Sequence, residues 1–63
     1  MRRGQKVMVN SSELSSTVLE LLTEFHRWNP AKVAKFDKAT GRVLVKWVDN
    51  FSLWFDLEQV EKV

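Results

Sequence analysis

Trp28-Asn29-Pro30-Ala31-Lys32-Val33-Ala34-Lys35-Phe36 is where the chain changes rhythm. Upstream, Leu14, Val18, Leu21, Leu22, Phe25 and Trp28 recur at spacings of four, three, one, three and three, the stripe of one amphipathic α-helix. Glu13, Glu20, Glu24 and Arg27 fall off that stripe. Downstream, the apolar residues recur at every second position, as in a strand. Pro30 separates the two regimes: it has no amide hydrogen and disfavours helical geometry at Asn29, so the helix is predicted to stop near Trp28. Its start has two solutions, because Asn10 with Glu13 and Thr17 with Glu20 both have the spacing of a cap and its reciprocal carboxylate.

Outward from the proline, both flanks read as β-structure. Gly4 to Val9 alternates, with Val7 and Val9 on one side and Lys6 on the other. Ala31 to Phe36 alternates with a slip between Val33 and Phe36, which predicts a bulge or bend if both face the core. Asp37 to Gly41 is a hairpin turn, with an Asp able to bond ahead to the backbone and a Gly able to take positive φ. Arg42 to Val48 places Val43, Val45 and Trp47 on one side and Leu44, Lys46 and Val48 on the other. Asp49-Asn50 supplies the next turn, Phe51 to Phe55 a fourth strand, Asp56 to Glu58 a single helical turn, and Val60 to Val63 the last strand. Five short strands with one long connection predict a mainly β protein: a small, strongly bent antiparallel barrel, residues 1–63 as one domain, with the helix inserted between the first and second strands.

Length and composition narrow the function. The chain has 63 residues, no Cys and one His. It can hold one core, without disulfides or thiolate metal sites to staple it. With few groups that titrate near neutral pH and little room for a cleft, an enzyme is not expected. No apolar run exceeds Val43 to Val45, against about 20 residues for a membrane span, and the N-terminus lacks the pattern of a secretory signal. A soluble protein of the cytoplasm is the expectation, with no cofactor.

Charge is segmental. Residues 1–9, 10–26, 27–48 and 49–63 carry net charges of +3, −3, +5 and −3. This pattern can place a basic and an acidic face on one body, which favours oriented docking.

Trp28-Asn29-Pro30-Ala31-Lys32-Val33, the turn Asp37 to Gly41, Val43 to Asp49, Trp54, and the closing Leu57 and Val60 together resemble the Tudor and Agenet group of SH3-like barrels. That resemblance implies an SH3-like fold and, as an activity, binding of methylated Lys or Arg in a cage of aromatic rings. The rings available are Trp28, Phe36, Trp47, Phe51, Trp54 and Phe55, although the residue before Pro30, often aromatic in that group, is Asn29. Gly4-Gln5-Lys6-Val7, with Asp49-Asn50-Phe51 and Trp54-Phe55, is also similar to small SH3-like subunits of cyanobacterial photosynthetic complexes, the PetP subunit of cytochrome b6f among them. The chain departs from that group in lacking a glycine-rich second hairpin, and from both in its long helical connection.

The expected role is a non-catalytic protein-interaction module, an adaptor or small accessory subunit, with a protein partner or a second copy. Trp28, Asp49, Asn50, Phe51 and Trp54 are the candidate partner-binding rim, because strand-joining loops put side chains within a partner's reach. The alternative is nucleic-acid binding by a basic strand face of Lys32, Lys35, Lys38, Arg42 and Lys46. His26 reads as a surface or capping residue, since it has no second His or Cys for zinc. No Ser, His and acid set stands out, and the two glycines, Gly4 and Gly41, are too far apart to form a phosphate loop.

Overall fold

Residues 2–63 are described by a computed structural model. Five strands, β1 (Lys6–Val9), β2 (Ala31–Asp37), β3 (Arg42–Lys46), β4 (Ser52–Asp56) and β5 (Val60–Lys62), form one antiparallel sheet in the order β4-β3-β2-β1-β5. β4 and β5 are its edges, and no ladder joins them among the described residues. Both edges nonetheless feed one core: Phe55 of β4 and Val60 of β5 are buried with Val7, Val33, Val43 and Val45 from the inner strands. The sheet is therefore curled around its apolar face.

The turns form for the reasons their residues suggest. At the β2–β3 hairpin the Asp37 carboxylate accepts from the Ala39 N–H at 3.0 Å, and Gly41 takes φ +69°. In β2 the register shifts between Val33 and Lys35, leaving Ala34 as the bulge that returns Phe36 to the core side. After β3, Asp49 Oδ1 accepts from the Phe51 N–H at 3.1 Å while Asn50 takes φ +70°, a left-handed geometry that Asn tolerates better than most residues. A 3₁₀ turn, Leu57–Gln59, connects β4 to β5.

The β1–β2 connection corrects the expectation of one helix. It contains a 3₁₀ turn (Ser11–Glu13), α1 (Ser16–Leu21) and α2 (Glu24–Trp28). Ser15 Oγ caps α1 by accepting from the Val18 N–H at 3.4 Å. The chain then turns extended at Leu22 and Thr23 before α2 begins. α2 stops at Trp28, with Asn29 extended ahead of Pro30 as predicted. A straight helix from Ser16 to Trp28 would be about 20 Å long, against a molecule of 27 × 22 × 18 Å. Two short helices can instead bend over the curled sheet. The buried residues change accordingly: Leu14, Leu22 and His26 are inside, while Leu21, Phe25 and Trp28 are exposed. The apolar periodicity runs on through Leu22, and bending over the curled sheet outweighs the helix preference of its Leu and Glu residues.

Candidate functional site

Strand alternation puts lysine on the outer face of three neighbouring strands. Val7, Val33 and Val45 point into the core, so Lys6, Lys32 and Lys46 beside them point out. The register then aligns them: Lys6 pairs with Lys32, and Lys32 with Lys46. Paired Cα atoms lie about 4.5 to 5.5 Å apart, and like charges directly opposite one another destabilise a sheet. The three lysines and Arg3 line a groove of about 520 Å³, whose apolar surface includes Pro30, Ala34 and Val48 and which, among the described residues, no carboxylate lines. A second recess, lined by Arg2, Arg3, Gly4, Gln5 and Lys62, adjoins it through Arg3 and Gly4.

This arrangement divides the predicted basic face. Lys32 and Lys46 come together, joined by Arg3 and Lys6, which the sequence reading had not included. Lys35 and Lys38 do not line the groove, and Arg42 instead reaches Asp56 at 3.6 Å across β3 and β4. The missing signal was register. Alternation alone gives the outward residues of each strand but not which of them stand opposite.

A second cluster forms where the Asp49 turn meets α2. His26, expected to be a surface or capping residue, is only 5% exposed and caps the start of α2. Its Nε2 is 2.8 Å from Asp49 Oδ2, and its Nδ1 accepts from the Thr23 N–H at 3.2 Å. An Nδ1 that accepts from a backbone N–H carries no proton, so in the neutral ring Nε2–H is the donor to Asp49. Phe51 stacks on the imidazole at 4.5 Å and Trp47 meets it edge-on at 4.9 Å. The Trp47 indole N–H donates to the carbonyls of His26 (3.1 Å) and Asn29 (3.2 Å), satisfying the C-terminal end of α2. Partial desolvation raises the Asp49 carboxyl, but the Phe51 N–H, the hydrogen bond and charge of His26 and its own backbone N–H outweigh it, leaving it below the ordinary 3.8.

The predicted rim is thus distributed over three places. Asp49, Asn50 and Phe51 share one turn, where Asp49 and Phe51 hold His26. Trp28, 77% exposed, lines a groove with Ser11, Glu24 and Arg27. Trp54, 39% exposed, lines another with Asp37, Thr40 and Arg42. Phe25 and Leu21 are exposed on the same helical connection as Trp28. Trp47 and Phe55 are core residues, at 2% and 1% exposure.

Among the described residues no three His, Cys, Asp or Glu side chains gather into a metal-holding group, and no helix is long and apolar enough to cross a membrane. Compared with family models, curated proteins and solved structures, the chain gives no match.

Proposed function

We propose that this chain is a non-catalytic binding module, a small SH3-like barrel that docks a partner protein or a second copy of itself as an adaptor or accessory subunit. The curled five-stranded sheet, with both edge strands contributing to one core, supports the SH3-like reading. The observation that carries the docking role is Trp28. Its ring is exposed at the end of a helix that is held in place, since the Trp47 indole bonds both to that helix's carbonyl at His26 and to Asn29 beyond it. Aromatic residues held rigidly at a surface are the groups that dominate protein interfaces. Phe25 and Leu21 extend the apolar surface along the same connection.

Methyl-cation recognition has less support. Phe51 is stacked on His26, Trp47 and Phe55 are enclosed, and Trp28 and Trp54 line different grooves. A cage needs several open ring faces around one point.

Sedimentation velocity and affinity capture with mass spectrometry, on the wild type and on Trp28→Ala, test the docking role. The expected result is self-association, or one stoichiometric partner, that Trp28→Ala abolishes while the thermal midpoint stays unchanged. A strictly monomeric chain that captures nothing, or capture indifferent to Trp28, would overturn it.

A further inference from the structure

We propose that the row Lys46, Lys32, Lys6 and Arg3 binds the phosphate backbone of a nucleic-acid single strand. This site is separate from the docking surface around Trp28, which lines neither groove. Six of the chain's ten Lys and Arg side chains line the two adjoining grooves, and among the described residues no carboxylate lines either. The acidic residues of the helical connection do not line the track, and Glu61, opposite Met8, stands on the outer face two residues along β1 from Lys6.

Three features favour a linear polyanion. The row crosses β3, β2 and β1, spaced about 4.8 Å apart, so its cations follow one another in a line instead of converging on a point. Lys6 faces Lys32 and Lys32 faces Lys46, an arrangement that works against folding and is relieved by a ligand carrying regularly spaced negative charge. Finally, all three of these strands are paired on both sides, so no free sheet edge lies beneath the row. An extended peptide draws much of its affinity from main-chain hydrogen bonds to such an edge. Here attraction must come from charge on the ligand's own repeating unit, which a phosphodiester backbone supplies. A single row matches one strand, and the apolar surface at Pro30 and Val48 meets the sugar and base faces that a duplex conceals.

Fluorescence anisotropy of the full chain with a labelled oligothymidylate of about 15 nucleotides, titrated across a salt series, tests this. Four phosphate contacts predict a slope of log K against log salt of about −3, and removing two contacts about −1.5. K32A/K46A should show that smaller slope and at least tenfold weaker binding at low salt, with a thermal midpoint equal to or above the wild type. K38A, off the track, should bind as the wild type does. No binding at low salt, binding unaffected by K32A/K46A, tighter binding of the matching duplex, or equal binding of polyglutamate or of phosphatidylserine vesicles would each overturn the proposal.

Discussion

His26 Nε2 and Asp49 Oδ2 lie 2.8 Å apart although 23 residues separate them in sequence. Their hydrogen bond joins the last helix before the proline to the turn after β3, and the same imidazole accepts the Thr23 N–H that begins α2. One side chain therefore sets both the start of α2 and its docking on the sheet.

His26→Ala removes both hydrogen bonds and leaves a void between Phe51 and Trp47. The expected cost is about 2 to 4 kcal/mol, from cavity formation and two orphaned groups. Urea unfolding monitored by tryptophan fluorescence measures it. In long-range ¹H–¹⁵N spectra at alkaline pH the wild-type ring should be the Nε2–H tautomer; an Nδ1–H tautomer would contradict the assigned hydrogen bonds.

Acid should weaken the same contact. The Asp49 carboxyl sits below its ordinary 3.8 in the folded chain, so the folded state binds that proton less readily than the unfolded state. Its contribution is complete above 3.8 and is lost as pH falls through the lower folded value. Thermal midpoints of wild type and Asp49→Asn should differ most above pH 4 or so and converge in stronger acid. A gap that persists undiminished at the acid extreme would refute this.

Asn50, at φ +70°, holds the turn between β3 and β4 in the left-handed region. Asn50→Ala should destabilise by about 1 kcal/mol, whereas Asn50→Gly should be neutral or slightly stabilising. For a domain of this size, 1 kcal/mol moves the thermal midpoint by roughly 4 to 8 °C, well within reach of calorimetry.

The two ends of the aromatic inventory should separate cleanly. Phe55→Ala should cost about 3 to 5 kcal/mol, as expected for an enclosed ring, and Trp28→Ala less than about 0.5 kcal/mol, as expected for a surface residue. Denaturation midpoints compared at equal m-value decide between these assignments.

Arg27 offers a fifth measurement. Its Nε is buried without a hydrogen-bond partner among the described residues. Arg27→Met keeps the packing of the stem and removes the unsatisfied donor, so it should stabilise the isolated chain by about 1 kcal/mol. A lower denaturation midpoint would mean that the guanidinium contributes more than its stem.

Much of the architecture was legible along the chain. The lone proline marked the end of the helical connection, the Val33 to Phe36 slip located the bulge, and Asp37 to Gly41 and Asp49-Asn50 located the turns, because each depends on neighbours a few residues away. The helix break at Leu22 was not legible. The apolar stripe continues through it, and only the need to bend over a curled sheet interrupts the helix.

The candidate sites were legible in part. Trp28 and the outward lysines could be picked out by spacing, but the burial of His26 could not. Its partners, Asp49, Phe51 and Trp47, arrive from more than 20 positions away. Likewise, Lys32 and Lys46 were candidates, while Arg3 and Lys6 joined them only through strand register.

Local alternation and turn chemistry specified a mainly β chain of five short strands, its turns, and the two sides of the first three strands, but not that Phe55 rather than Trp54 of β4 faces the core. The tertiary structure decided which outward residues stand side by side, and that the histidine goes inside. Strand pairing and packing bring together groups whose separation along the chain carries no information about their distance in space.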